Sequence, residues 1–176
     1  DGDGDVDILG SSYEDDIAWW ENDGNESFTK HTIVSNFYEA SSVHAIDMDG
    51  DGDVDILGSA RGYDEYVTWW ENDGNESFTE HTITSSLKRI SSAYAIDVDG
   101  DGDIDILEAA YYDDKIAWLE SDGTPGDGGW SRHIIATGFD DASFVYGMDM
   151  DGDGDVDVLG AAKEDAEITW WENDGS

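Results

Sequence analysis

One block of residues recurs four times, and it leaves little freedom for the fold. DMDGDGDVDIL begins at Asp47, DVDGDGDIDIL at Asp97 and DMDGDGDVDVL at Asp149, while a shorter copy, DGDGDVDIL, opens the chain at Asp1. A second block, WWENDG, begins at Trp19, Trp69 and Trp170, with the variant WLESDG at Trp118. A third reads FTKHTI from Phe28, FTEHTI from Phe78 and WSRHII from Trp130. Successive copies of the second block lie 50, 49 and 52 residues apart. That period is in the range of one propeller blade per unit.

Each complete unit holds four short apolar stretches separated by turn chemistry. In the second unit they are Val43–Met48, Val54–Ala60, Tyr66–Asn72 and Phe78–Thr84, here called A, B, C and D. Their β-branched and aromatic content predicts strands. Asn-Asp-Gly between C and D predicts a hairpin. The chain divides into units 1–42 (B, C, D), 43–92 and 93–144 (A to D), and 145–176 (A, B, C), fourteen strands in all. The fold class is therefore all-β, with incomplete units at both ends. Adjacent tryptophans such as Trp19 and Trp20 point to opposite faces of a strand. Both are buried only where the sheet is covered on both sides, as in stacked blades.

The chemistry concentrates in the loop between A and B. Asp-x-Asp-Gly-Asp-Gly-Asp-x-Asp places five carboxylates in nine residues, which repel one another unless a cation lies among them. Hard oxygen ligands at this density suit Ca²⁺, which takes six to eight of them, better than Mg²⁺, which keeps its water. The side-chain ligands expected in the second unit are Asp47, Asp49, Asp51 and Asp55, with the Asp53 carbonyl. In the third they are Asp97, Asp99, Asp101 and Asp105, with the Asp103 carbonyl. In the fourth they are Asp149, Asp151, Asp153 and Asp157, with the Asp155 carbonyl. The first unit keeps Asp1, Asp3, Asp5 and Asp7 but lacks the leading Asp, so three complete sites and one weaker or empty site are expected. An EF-hand needs flanking helices and a Glu at loop position twelve. That position holds Gly58, Glu108 and Gly160, and the flanks read as strands. A solvated acidic turn that holds no ion is the remaining competitor; three complete copies at one place in the unit argue against it.

The calcium loop followed by VDIL, and then WWENDG and FTKHTI, resembles the FG-GAP/VCBS repeats of integrin-like β-propellers. The resemblance covers the whole chain. It implies blades around a central axis, calcium in each A–B loop, and an extracellular or cell-surface setting in adhesins, lectins, receptors or accessory modules of polysaccharide-degrading enzymes. Propellers of this kind commonly have seven or eight blades.

Connections in a meander alternate between two faces. The A–B and C–D loops share one face and vary little between units. The B–C and D–A loops share the other and vary strongly, so ligand contacts are expected there. Candidates are Tyr13, Arg61, Tyr63, Tyr111, Tyr112, Lys115 and Lys163 in B–C loops, and Phe37, Tyr38, Lys88 and Arg89 in D–A loops, with Phe139 nearby. Five of the seven Lys and Arg residues lie here. Tyr and Phe stack on sugar rings, and Arg and Lys hold carboxylate or sulfate groups. Unconstrained surface loops are the plainer alternative. His31, His81 and His133 recur at one position of D, and His44 is replaced by Tyr94 and Tyr146. These read as packing residues, as do the Trp pairs. No Ser-His-Asp or Cys-His arrangement stands out, so a non-catalytic module is expected.

Net charge narrows the partners. With 7 Lys and Arg against 45 Asp and Glu the formal charge is −38. Nucleic acid is excluded as a direct partner, and so is a basic membrane-surface role. No apolar run is long enough for a membrane-spanning helix, and without Cys there is no disulfide. Eight Trp, eight Tyr and five Phe argue against acidic disorder. The loops hold 19 of the acids, and four Ca²⁺ ions would offset only eight charges, which points to a saline medium that screens the rest. The chain opens on Asp1 rather than Met, which reads as a processed product or part of a longer parent chain. The expected function is adhesion to, or recognition of, glycans or protein surfaces. One alternative is a subunit that completes its end blades with a second copy, as a ring or a fibre. Another is an accessory domain of a polysaccharide-active enzyme.

Overall fold

The structure, a computed structural model, describes residues 3–12, 16–62, 66–84 and 86–175. It contains fourteen strands. The first sheet holds β1 (Ile8–Ser11), β2 (Asp16–Asn22) and β3 (Phe28–Ser35). The second holds β4 (Ala40–Ile46), β5 (Asp55–Ala60), β6 (Tyr66–Asn72) and β7 (Phe78–Thr84). The third holds β8 (Ile90–Ile96), β9 (Asp105–Ala110), β10 (Lys115–Glu120) and β11 (Ser131–Thr137). The fourth holds β12 (Ala142–Met148), β13 (Asp157–Ala162) and β14 (Glu167–Trp171). Every neighbouring pair is antiparallel and consecutive in the chain. Among the described residues the only helical turn is Pro125–Asp127, of 3-10 type.

Strands C and D of the second unit fall where the pattern places them. Strand A begins earlier, at Ala40, and ends at Ile46. Ala40 pairs with Ala60 across a bulge, and Asp47 leaves the ladder to open the acidic loop. The three first strands β4, β8 and β12 lie side by side, and each also meets the second strand of the preceding sheet. The sheets thus stack face to face as propeller blades.

The tandem tryptophans show how this stacking is encoded. Trp69 and Trp70 are both buried, but in different cores. Trp69 packs with Leu57, Val67 and Ile83 against the third sheet. Trp70 packs with Ile56 and Phe37 against the first. At the end of the array the rule fails. Trp170 is 41% exposed, because no following sheet covers its face.

A second correction concerns Phe37 and Phe139, expected on the open ligand face. Both are buried. Phe37 stands edge-on to Trp70, with centroids 5.0 Å apart, and Phe139 edge-on to Trp171 at 5.3 Å. Each plugs the inter-sheet core above a glycine that makes room for the indole. A methyl on Gly58 would meet Trp70 Cζ3 at 2.8 Å and Ile17 Cδ1 at 3.0 Å. Gly58→Ala is therefore expected to cost about 1–3 kcal/mol by overpacking. Urea unfolding reads this directly, and an unchanged midpoint would contradict the tight fit. The third sheet solves the same space differently: Glu108 stands at the glycine position and Leu119 at the tryptophan, under Leu87 in place of Phe.

Candidate metal centre and variable face

Each acidic loop is first a hydrogen-bonded turn. Asp47 accepts the N–H groups of Gly50 (2.8 Å) and Gly52 (3.0 Å). Gly50 and Gly52 have φ of 78° and 99°, a left-handed backbone that excludes larger residues at little cost only to Gly. Asp49 accepts from the Asp51 N–H, and Asp51 from the Asp53 N–H. The third and fourth loops repeat these bonds from Asp97, Asp99 and Asp101, and from Asp149, Asp151 and Asp153.

The last Asp of each loop ties two turns together. Asp55 is buried and accepts from Met48 N (2.9 Å) and, across the sheet, from Asn72 N (2.8 Å). Asp105 does the same with Val98 and Ser121, and Asp157 with Met150 and Asn173. Asp7 accepts from Asn22. Asn72 in turn donates to the Val54 carbonyl. The ENDG block is therefore the outer wall of the acidic loop. The repeated spacing of the two blocks was the available signal, and reading ENDG only as a hairpin missed it.

Three groups of carboxylates converge, with oxygens within 4.8 Å of one another: Asp47, Asp49 and Asp55; Asp97, Asp99 and Asp101; Asp149, Asp151 and Asp157. Asp51, Asp105 and Asp153 were expected in these groups and fall outside them. Asp53, Asp103 and Asp155 turn their carboxylates onto Gly74, Gly123 and Gly175, where any Cβ would collide with them. Their side chains brace the C–D turn, and only their backbone carbonyls remain as donors toward the loop. In the first unit Asp3 accepts from Asp5, Asp5 faces Gly24, and Asp1 lies outside the described residues. No converging group forms there among the described residues.

The donor set fits a hard divalent cation. Each group is all-oxygen and held by backbone bonds. Burial, followed by the charges of its acidic neighbours, pushes Asp49 and Asp99 upward. Burial pushes Asp55 and Asp105 up to about 6. An unfolded Asp titrates near 4, so the folded, metal-free chain holds more protons between about pH 4 and pH 6. Its stability contribution from these two groups is fully present below pH 4 and is lost as pH rises through 6, by about 3 kcal/mol per group at most. A cation replaces those protons. The rise in melting temperature on adding millimolar Ca²⁺ is therefore expected to grow from pH 5 to pH 7. A rise independent of pH would contradict this account.

The recurring histidines brace strands rather than form a site. His31, His81 and His133 lie 2.8, 2.7 and 2.6 Å from Glu21, Glu71 and Glu120, and stack on Trp19, Trp69 and Trp118. His44 stacks on Tyr94, and Tyr94 meets Tyr146 at a tilt of 40°, in a row along the three first strands. Sequence reasoning missed one buried ion pair. Glu108, fully buried, meets Arg132 Nε at 3.2 Å, so its place at loop position twelve is unrelated to metal.

On the opposite face, each D–A loop is tied to the B–C loop of the sheet it enters, continuing the ladder of that sheet's first two strands. Arg61 N donates to Glu39 O, Tyr111 N to Arg89 O, and Lys163 N to Asp141 O. Lys88 N donates to Asp113 Oδ2, and Asp140 N to Asp165 Oδ2. Glu39, Arg89 and Asp141 share a left-handed φ of 58°, 56° and 58°. One backbone design thus carries Tyr38-Glu39, Lys88-Arg89 or Asp140-Asp141. Between the second and third sheets, Gly62, Lys88, Arg89 and Tyr112 line a groove of about 270 Å³. The Arg89 guanidinium lies over the Tyr112 ring and that of Arg61 over Tyr111, each at 5.7 Å. Tyr38, Lys115 and Lys163 do not line this groove, and Tyr13 and Tyr63 lie outside the described residues.

Comparison with known proteins agrees with this architecture. The family model of the FG-GAP-like repeat matches residues 1–58, 59–108 and 97–160. Among solved structures, a point mutant of NanB sialidase from Streptococcus pneumoniae superposes with a TM-score of 0.56 at 15% identity. The match covers 89% of this chain and 28% of the sialidase chain; at that identity the likeness is one of fold alone. A search of curated proteins finds no match. Three matched segments spanning most of the sequence, on sheets that carry an acidic loop at every A–B turn, place the chain in the FG-GAP-like repeat family.

Proposed function

We propose that this chain is a non-catalytic, calcium-braced propeller module that recognises glycans or protein surfaces outside the cell. The observation that carries the reading is the contrast between its two faces. One repeats the same metal loops; the other repeats a backbone and changes its side chains. Constant chemistry serves the scaffold and varied chemistry serves a ligand. FG-GAP repeats are typical of extracellular proteins, and loops of the extracellular class bind calcium at about 10⁻⁴–10⁻³ M, far above cytosolic supply. Screening the calcium-loaded chain against a glycan array and a panel of immobilised extracellular proteins tests the reading. Specific binding that is lost on chelation is expected. Binding to neither class, or turnover of a bound glycan, would overturn it.

A second reading, self-assembly, is supported by the end faces. Met148, Met150, Ile168 and Trp170 are exposed at the positions where Ile96, Val98, Ile116 and Trp118 pack the third sheet against the fourth. Ile8 and Phe28 are exposed on the first sheet, where Ile56 and Phe78 are packed in the second. Light scattering in millimolar calcium is expected to give a closed oligomer or a growing polymer if these faces join, and a 19.3 kDa monomer if they do not. An accessory role beside a catalytic domain is a third reading; a hydrolase domain encoded in the same reading frame would establish it.

A further inference from the structure

We infer that His44 is an acid-released clasp between the second and third sheets. Its imidazole holds the edge of β8 only while unprotonated, so acidification frees that edge and loosens the junction. The clasp goes beyond the recognition reading above and does not depend on it.

The clasp begins with a strand edge. Within its sheet β8 pairs only with β9. An edge strand points alternate N–H groups away from its partner, and a buried N–H needs another acceptor. Ala93 and Ala95 are both buried, and two side chains of β4 take their N–H groups. Ser42 Oγ accepts from Ala93 N at 2.9 Å, and His44 Nδ1 accepts from Ala95 N at 3.1 Å. Ser42 and His44 lie two residues apart, so strand alternation puts both on the face toward β8. The imidazole also stacks on Tyr94, with centroids 4.4 Å apart and planes 20° from parallel. Stacking fixes the plane of the ring, and the bond fixes which nitrogen meets Ala95.

Proton chemistry makes this bond conditional. A ring nitrogen that accepts an N–H carries no proton, so the imidazole is neutral with its proton on Nε2. A second proton lands on Nδ1 and turns the acceptor into a donor. Nδ1–H then faces Ala95 N–H, and a buried donor and a new charge are both left without a partner. The neighbouring bond from Ser42 does not titrate. The sister positions lack the device: Tyr94 and Tyr146 stand where His44 stands, and burial pushes the Tyr94 phenol up to about 12.

The surroundings give the charged ring no counterion. On β5, Leu57 lies opposite His44, and Asp55 lies opposite Ile46 with its oxygens taken by Met48 N and Asn72 N. On β9, Glu108 lies opposite Ala93 and is paired with Arg132 of β11. Tyr94 covers the ring from β8, and Tyr146 of β12 stands beyond Tyr94. β1 and β2 belong to the first sheet; β1 has no titratable residue, and Asp16 and Glu21 of β2 are paired with Lys30 and His31. β4 itself carries no other titratable group. Burial therefore governs the imidazole and holds it below its usual value of 6.5. As pH falls the unfolded chain takes up this proton first, so the clasp's share of stability is present above pH 6.5 and is lost below it. The sign is opposite to that of Asp55 and Asp105.

NMR titration of the isotope-labelled chain in saturating calcium tests the clasp. At pH 7.5 the His44 ring is expected to carry its proton on Nε2 and none on Nδ1, and to titrate below 6.5. Amide exchange at Ala95, corrected for the intrinsic effect of pH, is expected to quicken at least about tenfold from pH 7 to pH 5, while amides inside β9 and β10 keep their protection. His44→Asn places a carbonyl oxygen where Nδ1 stands and does not titrate, so it is expected to abolish the acid response at Ala95. His44→Tyr, the sister residue, is expected to leave Ala95 exchanging fast at both pH values. A proton on Nδ1 at pH 7.5 would overturn the acceptor. Unchanged protection of Ala95 across the titration of His44 would overturn the clasp, and the unmutated chain alone gives that result. A full acid response in His44→Asn would assign the response to the carboxylates and overturn the inference as well.

Discussion

Replacing Arg132 by Ala is expected to cost about 3–5 kcal/mol, because it leaves a carboxylate buried without its countercharge. Glu108 is 0% exposed and its Oε1 lies 3.2 Å from Arg132 Nε. Arg132 Nη1 in turn donates to Ser86 Oγ at 2.5 Å. Neutralising the acid as well should recover most of the loss, so the double variant Glu108→Gln with Arg132→Ala is expected to be markedly more stable than Arg132→Ala alone. Breaking one partner is costly where replacing both is not. The sister sheets show what the pair replaces: glycine under a tryptophan, as at Gly58 and Trp70 or Gly160 and Trp171. Urea unfolding in saturating calcium measures each variant. A loss under about 1 kcal/mol for Arg132→Ala would mean that water reaches Glu108 and that the pair behaves as a surface contact.

The repeat and the strand pattern made much of the fold legible. Fourteen strands and their meander follow from apolar runs and turn residues, because within a unit each strand pairs with its chain neighbour. Burial of Trp69 and Trp70 on opposite sides was also legible, since strand geometry forces it. What pairs across sheets was not. Phe37 looked like surface because it sits in a variable loop, yet it packs on Trp70, whose side chain enters from another strand. The role of Glu108 was hidden because its partner, Arg132, is 24 residues away on β11. In the acidic loops the residue types were legible and the division of labour was not. Asp53 and Asp55 are both acids two residues apart, but one turns to Gly74 and the other into the protein interior. Strand entry at Asp55 decides that split: β5 begins there, and Asp53 still belongs to the turn, outside the period-two rule that would put both side chains on one face.

That split gives the sharpest expectation for the metal loops. Asp49 is exposed and accepts one local N–H, whereas Asp55 is buried and accepts two N–H groups from different turns. In calcium-free buffer Asp49→Ala should change stability by less than about 1 kcal/mol, since the lost bond is replaced by water. Asp55→Ala strands Met48 N and Asn72 N, and each buried donor left unsatisfied costs about 1–3 kcal/mol. It should therefore destabilise even the metal-free chain by about 2–4 kcal/mol, after relief of a buried carboxylate is set against the loss. Asp55→Asn removes the charge but keeps only one of the two acceptors, since Asp55 takes Met48 N on Oδ2 and Asn72 N on Oδ1. Without calcium it should cost less than Asp55→Ala, by the one N–H it still satisfies, about 1–3 kcal/mol. In saturating calcium all three variants should lose the second loop's share of the ligand-linked stabilisation, about 2.7 kcal/mol where calcium stands at a hundredfold its dissociation constant. Denaturant unfolding in chelator and in millimolar calcium gives both quantities for each variant. Full calcium stabilisation in Asp49→Ala would remove Asp49 from the metal group. Equal metal-free stabilities for Asp49→Ala and Asp55→Ala would mean that Asp55 does not join the two turns. The expected pattern, one residue sensed only with calcium and the other sensed in both conditions, requires that the loop be a turn first and a metal site second.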